Sequence, residues 1–190
     1  MTVDPYSDPA SGVLRNRFGI TDPDRLRVVE ADLTAAALAD LGTRILPGGY
    51  DLVHLRLFHA EIFGDLDPWA GEIRTVGIAK SDPFCLPHHI EAYSNEVFNA
   101  LGKERFLRNL LREDFIARLT HYFAEVNAIH PFRERNGRAQ RAFFRQLSRE
   151  AGWPIDWSGL DPQRNAEASM ASLRGDNSLL QEMLDSLVSR

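Results

Sequence analysis

A stretch of twelve residues, from His130 to Arg141, gathers the side chains of this sequence that are best suited to chemistry. It reads His130-Pro131-Phe132-Arg133-Glu134-Arg135-Asn136-Gly137-Arg138, with Arg141 one helical turn further on. Histidine transfers protons near neutral pH, so His130 is the candidate general base. A carboxylate beside phosphates is where a hard cation such as Mg²⁺ binds, so Glu134 is the candidate metal ligand. Together these residue types predict a nucleotide-phosphate site.

The second half of this stretch is predicted to open a helix, because apolar residues recur at helical spacing on both sides of it. Backbone N–H groups at a helix N-terminus are unpaired, and the helix dipole adds about half a positive charge there. We therefore expect Asn136, with the N–H groups of Asn136 and Gly137, to bind an inner phosphate. Arg138 and Arg141 share a helical face and can bind outer phosphate oxygens. Phe132 is interpreted as an anchor that holds the loop on the core.

The composition is typical of a globular domain and excludes several classes of protein. Its 190 residues are 44% hydrophobic and 26% charged, which is enough for one proper core. No apolar run approaches the ~20 residues that span a bilayer, and the N-terminus does not read as a signal peptide. Cys85 is the single cysteine, which excludes an internal disulfide and suits a reducing cytoplasm. The net charge of −5 argues against direct nucleic-acid binding.

Basic residues are concentrated around the candidate site. Between residues 103 and 149, Lys and Arg outnumber Asp and Glu by about two to one, whereas acidic residues prevail elsewhere. A basic run is most often a solvated helix face. Here the run coincides with the predicted phosphate site, which favours the functional interpretation.

The hydrophobic periodicity predicts a mainly α fold. Helices are expected over residues 21–42, 51–63, 90–101, 106–111, 115–129, 137–150, 162–170 and 179–188. Residues 72–90 break the helical pattern. Ile73 and Thr75 are β-prone and Ser81-Asp82-Pro83 favours a turn, so a small β-hairpin is expected there. Neither a repeat nor a linker divides the chain, which predicts a single domain.

The stretch at 130–138 resembles the signature of Fic (filamentation induced by cAMP) domains, His-Pro-Phe-x-Asp/Glu-Gly-Asn-Gly/Lys-Arg. One position departs from it, because Arg135 stands where the family usually has Gly and sometimes Ala. Residues 69–74, Trp-Ala-Gly-Glu-Ile-Arg, are similar to a second Fic segment, and Asp4-Pro5-Tyr6 resembles the N-terminal segment of bacterial Fic toxins. The resemblance therefore covers nearly the whole chain.

This resemblance implies one Fic domain over residues 1–190, a helical bundle with a small β-hairpin flap. Residues 1–12 are expected to form an extended lead-in, and residues about 50–150 the core with the flap and the motif loop. Residues about 160–188 are expected to form the C-terminal helices.

The resemblance also implies an activity. Most Fic proteins are protein adenylyltransferases, which transfer AMP from ATP to a Ser, Thr or Tyr hydroxyl of a protein and release pyrophosphate. The family assigns His130 as the base, Glu134 to Mg²⁺, and Asn136 with the arginines to the phosphates, while the Phe is buried. These are the roles that the residue chemistry predicts independently.

Two kinds of partner follow from the resemblance. Residues 76–86 correspond to a flap that docks the target protein by adding strand hydrogen bonds, and Ile78, Lys80 and Phe84 are its candidate contacts. Relatives among bacterial toxins modify type II topoisomerases, which are therefore candidate targets. Many Fic proteins are inhibited by a helix that carries Ser/Thr-x-x-x-Glu-Gly/Asn, whose Glu pairs with the arginine that corresponds to Arg141.

The inhibitory helix is expected on a separate small antitoxin. Residues 178–182, Ser-Leu-Leu-Gln-Glu, fit the first five positions of its pattern, but Met183 replaces the final Gly or Asn. The same residues have the spacing of a core helix, which is the interpretation we favour. The chain is thus predicted to be the toxin of a cytoplasmic toxin–antitoxin pair.

Arg135 leaves other functions open. A left-handed backbone there would cost of order 1 kcal/mol, and its side chain would either crowd the phosphates or bind them. One alternative is an attenuated or inactive Fic-fold binding module. Another is transfer of a different nucleotide or phosphate-containing group, but relatives that transfer phosphate carry Lys in place of Gly137. Gly137 and Arg138 therefore favour AMP transfer.

Overall fold

The computed structural model describes residues 4–80 and 82–189, and over these residues the chain is a bundle of seven α-helices. They are α1 (Pro23–Thr43), α2 (Leu52–Phe63), α3 (Ile90–Lys103), α4 (Arg112–Ile129), α5 (Asn136–Ala151), α6 (Pro162–Leu173) and α7 (Ser178–Leu187). The predicted mainly α fold is confirmed. Residues 1–3 of the predicted lead-in and Ser81 of the predicted turn lie outside the described residues.

Helix α4 lies at the centre of the bundle, where it packs against α3, α5, α6 and α7. The apolar residues that recur at helical spacing along it are all buried, namely Phe115, Leu119, Tyr122, Val126 and Ile129. Helix α5 completes the core with Phe143, Phe144 and Leu147. Within the described ranges, no helix has the length and apolar character needed to cross a bilayer.

Helix α1 is attached differently from the others. It begins where the sequence predicts, since the side chain of Asp22 accepts a hydrogen bond from the N–H of Arg25 and Pro23 occupies the first turn. Leu26 and Thr34 are its only buried residues, so little apolar surface holds it in place. Its polar contacts with the rest of the molecule therefore matter more than those of the other helices.

The predicted helix over residues 106–111 is wrong. A short 3-10 turn, Arg105–Leu107, occupies its start, and Phe106, Leu107 and Asn109 all have left-handed φ values near 60°. The apolar spacing that predicted a helix reflects burial instead, because Leu107 is fully enclosed in the core and Phe106 packs against it. Helical spacing over so few residues does not distinguish a helix from a buried turn.

The predicted β-hairpin is reduced to a single antiparallel bridge between Ala79 and Pro83. The Phe84 N–H also donates to the Ile78 carbonyl at 3.2 Å, and the described residues on either side of Ser81 form no extended strands. Pro83 has no N–H to donate, which limits the ladder that this segment can form. We call residues 76–86 the flap.

Arg74 attaches the flap to the C-terminus of α4. Its side chain is buried, and its guanidinium donates to the carbonyls of His130 at 2.8 Å, Val76 at 2.8 Å, Ile129 at 3.3 Å and Cys85. The backbone N–H of Cys85 donates to the Ala128 carbonyl at 3.0 Å, which adds a second attachment. One side chain thus fixes the flap and the last turn of α4 relative to each other.

Replacement of Arg74 by Leu is expected to destabilise the fold. The substitution leaves several buried carbonyls without a donor, so the free energy of unfolding should fall by about 3 kcal/mol. Urea denaturation followed by circular dichroism measures this change. Arg27 is exposed and pairs only with Asp24, so Arg27→Leu is the matched control and should change stability little. Equal effects of the two substitutions would contradict the role given to Arg74.

Candidate functional site

His130 lies at the end of α4 with its backbone in the left-handed region, at φ 45° and ψ 62°. Its Nδ1 lies 3.2 Å from the carbonyl oxygen of Asn127. A carbonyl only accepts hydrogen bonds, so Nδ1 carries the proton and Nε2 carries the lone pair. No residue in the described part of the chain hydrogen-bonds Nε2. The imidazole therefore presents a bare acceptor, as a general base requires.

The surroundings of His130 keep the ring neutral. Burial lowers the pKa of His130 to about 3, and the charges of Lys80 and Arg74 act in the same direction, against the Asn127 carbonyl. Phe84 stacks on the ring with centroids 3.8 Å apart and planes 12° apart. Phe84 is itself buried, so this flap residue holds the imidazole of His130 in place. This differs from the expected contact of Phe84 with a target protein, because its ring is covered by His130.

The side chain of Asn136 holds the two ends of the loop between α4 and α5 together. Its side-chain oxygen accepts from the Phe132 N–H and its side-chain nitrogen donates to the Phe132 carbonyl, both at 2.8 Å. Phe132 is fully buried, as predicted, and its ring lies 4.0 Å from that of His59. The side-chain amide of Asn136 therefore hydrogen-bonds the backbone of the loop and not a phosphate, which the sequence did not indicate.

His59 is a supporting residue that the sequence analysis did not identify. It is fully buried on α2, where its Nδ1 accepts from the Gly71 N–H at 3.0 Å and its Nε2 donates to the Glu134 carbonyl at 3.1 Å. Burial lowers the pKa of His59 to about 4, so the ring stays neutral and keeps both bonds. Its place on the apolar face of α2, in line with Leu55 and Ile62, was the available signal.

Gly71 and Trp69 fix the 69–74 segment on the core. A Cβ at Gly71 would lie 3.0 Å from the Arg56 carbonyl oxygen, and the residue has φ +80°, so only glycine fits this close approach. Trp69 is a core residue. The 69–74 segment is thereby packed against α2 and, through His59 and Arg74, positions the loop.

The N-terminus of α5 offers a site for an anion. The backbone N–H groups of Asn136 and Gly137 make no hydrogen bond with any described residue. The Arg141 guanidinium likewise has no partner among the described residues, and its Nη1 would lie 3.2 Å from a Cβ at Gly137. Burial, together with the charge of Arg138, lowers the pKa of Arg141 from its ordinary value. A partly buried cation beside free N–H groups is the arrangement that binds phosphate.

Arg138 lies on the same face of α5 but is already engaged. Its Nη2 donates to a carboxylate oxygen of Glu30 on α1, and its Nη1 donates to Thr34 Oγ1 at 3.3 Å. Its guanidinium lies 4.9 Å from the centroid of the Phe63 ring. The side chain of Arg138 thus extends from α5, beside the candidate anion site, and residues of α1 fix its guanidinium.

Arg135 does not point to the loop N–H groups, contrary to the expectation that it crowds or binds the phosphates. Its backbone is left-handed, at φ 65°, as the family's glycine predicted. The side chain is only 3% exposed and pairs with Asp67 at 2.7 Å and with Glu30 at 2.6 Å. Both ends of the guanidinium thus bind carboxylates, the fully buried Asp67 and the partly buried Glu30, so neither end is directed to a nucleotide.

Glu134 is the one carboxylate of the loop, and its side chain is exposed. Its side chain is 54% exposed, its Oε1 accepts from the Arg135 N–H at 3.1 Å, and its Oε2 lies 3.8 Å from Arg133 Nη1. Arg133 is held mainly by Asp4, at 2.6 Å, which docks the N-terminal segment on the loop. No group of three His, Cys, Asp or Glu side chains among the described residues could hold a metal alone. Any cation at Glu134 would therefore need ligands from a substrate and from water.

The remaining predicted residues lie apart from the loop or at its edge. On the flap, Ile78 is half-buried and Lys80 is exposed, so both are accessible to a partner. Glu182 of the inhibitory-like pattern is exposed and lies 3.7 Å from Arg164, whereas Arg141 has no such contact. Leu180 and Met183 are buried, as the core-helix interpretation predicts, but Leu179, which it also places inside, is 41% exposed.

Comparison with known proteins agrees with this geometry. Residues 49–148 match the sequence model of the Fic/DOC family. The chain is 40% identical over 182 residues to the protein adenylyltransferase VbhT of Bartonella schoenbuchensis, with 95% of this chain and 38% of VbhT covered. It is 36% identical over 187 residues to the probable protein adenylyltransferase Fic of Escherichia coli, with 98% of this chain and 92% of that protein covered.

Solved structures show the same architecture. The N-terminal Fic domain of a VirB-translocated effector from Bartonella quintana, with bound ADP, superimposes with a TM-score of 0.89 and 26% sequence identity. The alignment covers 97% of this chain and 94% of that domain. The family match over the motif loop, the similarity along nearly the whole chain and the common fold lead to one conclusion: the chain belongs to the Fic/DOC family.

Proposed function

We propose that the chain is a protein adenylyltransferase, which transfers AMP from ATP to the hydroxyl of a Ser, Thr or Tyr in a target protein. The observation that carries this proposal is the pairing of a base with an anion site on one loop. At the end of α4, no described residue hydrogen-bonds Nε2 of His130. At the start of α5, the N–H groups of Asn136 and Gly137 and the guanidinium of Arg141 likewise have no partner among the described residues. Relatives named adenylyltransferases at 36–40% identity support the same reaction.

In the proposed transfer of AMP, each group of the site has a defined role. The target hydroxyl oxygen attacks the α-phosphorus of ATP, and its proton passes to Nε2 of His130. The bond between the α-phosphorus and the bridging oxygen of pyrophosphate breaks, and pyrophosphate leaves. The Asn127 carbonyl accepts from Nδ1 and stabilises the imidazolium that forms. The N–H groups of α5, with Arg141 and Arg138, stabilise the charge on the phosphates.

We further propose that Glu134 holds Mg²⁺ together with two phosphates of ATP. The exposed Oε2 of Glu134 and the lack of further protein ligands suit a cation that keeps water and phosphate oxygens in its shell. Bound there, Mg²⁺ would neutralise phosphate charge. The residues present are thus compatible with the metal.

The target is proposed to dock along the flap, where Ile78 and Lys80 are accessible. Phe84 holds the His130 ring from beneath, so docking at the flap would place the target hydroxyl near the base. The resemblance to bacterial Fic toxins makes a type II topoisomerase the first target to test. The flap chemistry alone selects no particular protein.

A small antitoxin is proposed as the inhibitory partner, in a cytoplasmic setting that the single Cys85 suits. Its glutamate would pair with Arg141, which has no partner within the described residues. Glu182 of this chain pairs with Arg164 instead, which supports an inhibitor that acts from a separate chain.

Replacement of His130 by Ala is expected to abolish labelling of a target protein by α-³²P-ATP in a bacterial lysate. Loss of a positioned general base lowers such rates by about 10²–10⁴-fold. His121→Ala is the matched control, because His121 is on the same helix but its imidazole is 44% exposed and only weakly paired. Label from γ-³²P-ATP would indicate phosphate transfer, and label that survives His130→Ala would contradict the role of the base.

The acid limb of the pH profile should lie well below that of an ordinary histidine. Because the pKa of His130 is lowered to about 3, the basic form persists as the pH falls below 6.5, and kcat/KM should change little from pH 7.5 to about 5. The lowered pKa values of His130 and His59 also stabilise the fold above about pH 6.5, and this stability is lost as the pH falls toward 4. Circular dichroism at each pH therefore accompanies the assay. An activity midpoint near 6.5 in folded protein would contradict the assignment.

A further inference from the structure

Four charged side chains form a continuous chain between α1 and the motif loop. Asp67 pairs with Arg135, Arg135 pairs with Glu30, and Glu30 pairs with Arg138. Two of the residues are separated by more than 100 positions in the sequence, so the chain joins distant segments. Two carboxyl groups alternate with two guanidinium groups, and burial raises the pKa of Asp67 to about 7 although the charge of Arg135 opposes this.

Three of its four members are largely withdrawn from solvent. The side chains of Asp67 and Arg135 are 0% and 3% exposed, and that of Glu30 is 19% exposed. Burial alone would raise the pKa of Glu30, but hydrogen bonds and charges from Arg135 and Arg138 lower it, so the carboxylate is ionised. An ion pair buried to this extent is costly to break from one side, because the remaining charge loses its partner. Glu30 is thus held in one place.

Hydrogen-bond acceptors on α1, from Glu30 and Thr34, orient the guanidinium of Arg138. Glu30 and Thr34 lie one helical turn apart and each binds one end of its guanidinium, while Phe63 lies beneath. A guanidinium has five N–H donors, and Nε of Arg138 has no acceptor among the described residues. Arg138 and Glu134 also line a common cavity of about 500 Å³. Arg138 therefore keeps a donor that no described residue occupies, and it shares this cavity with Glu30, Arg135 and Glu134.

We propose that Glu30 is a positioning residue for Arg138, and that Arg135 and Asp67 hold Glu30 in place. This inference rests on the proposed nucleotide-transfer function, in which Arg138 binds an outer phosphate of ATP. A long arginine side chain loses rotamer entropy when it binds, and a side chain fixed beforehand loses less. Arg135 thus contributes to nucleotide binding through Glu30 and not by contact with phosphate.

The test compares the affinities of ATP and AMP by isothermal titration calorimetry. Glu30→Gln keeps the shape of the side chain but removes the charge that holds Arg138. It should weaken ATP binding by about tenfold, the scale of a lost charge-assisted contact, and leave AMP binding unchanged, because AMP has no outer phosphate. Asp32→Asn is the matched control, since Asp32 is an exposed acid on the same helix, and it should change neither affinity.

A second variant tests whether Arg135 holds Glu30 in place. It also keeps the inference testable if Glu30→Gln does not fold. Arg135→Lys keeps a cation beside Asp67 but cannot bind both carboxylates as a guanidinium does. It should also weaken ATP binding selectively, by less than Glu30→Gln does. Circular dichroism verifies that each variant is folded.

Several results would overturn the inference. Tighter ATP binding by Glu30→Gln would show that Glu30 competes with phosphate for Arg138. Equal losses for ATP and AMP would indicate general damage, and an unchanged ATP affinity in both variants would exclude a positioning role. If Asp32→Asn weakened ATP binding as much as Glu30→Gln does, the loss would come from the overall charge of α1 and not from the contact of Glu30 with Arg138. If the native chain binds no ATP, the proposed function itself fails, whereas native binding without a variant effect overturns the positioning role alone.

Discussion

The buried guanidinium of Arg74 is the contact on which the geometry of the site most depends. It binds carbonyls at the end of α4 and in the flap, including that of His130 itself. A left-handed residue such as His130 costs about 1–2 kcal/mol and persists only where surrounding contacts hold it. Because one guanidinium binds both sides, the base and the flap residue Phe84 are fixed together. Stacking of Phe84 on His130 then excludes water from one face of the ring and keeps it neutral.

Arg135 shows how a chain can depart from a family motif without blocking its site. The family's glycine suits a left-handed backbone, and that backbone is present here at φ 65° despite the side chain. The strain is offset by the pairs that the side chain makes with Asp67 and Glu30, deep in the interface of α1 and the loop. Arg141 and the N–H groups at the start of α5 keep no hydrogen-bond partner among the described residues. The structure therefore removes the steric argument for an inactive binding module.

The sequence predicted the parts of the fold that depend on local pattern. The inward face of α4, the start of α1 at Asp22 and the loop between α4 and α5 follow from spacing and capping, which act over a few residues. The pairs of Glu30 with Arg138 and of Arg74 with the end of α4 join segments more than 50 residues apart, and no local pattern contains them. The turn at Phe106 was missed for a related reason, since burial of an apolar residue does not require a helix.

The central claim is that His130 is a neutral imidazole with its proton on Nδ1 and its lone pair on Nε2. Long-range ¹H–¹⁵N NMR spectra of histidine-labelled protein measure the tautomer and the protonation midpoint of this ring, with His130→Ala to assign its signals. We predict the Nδ1-protonated tautomer, unchanged from pH 7.5 to about 5, because burial lowers the pKa of His130 to about 3. A proton on Nε2, or a midpoint near the ordinary value of about 6.5, would contradict the assignment of His130 as the base.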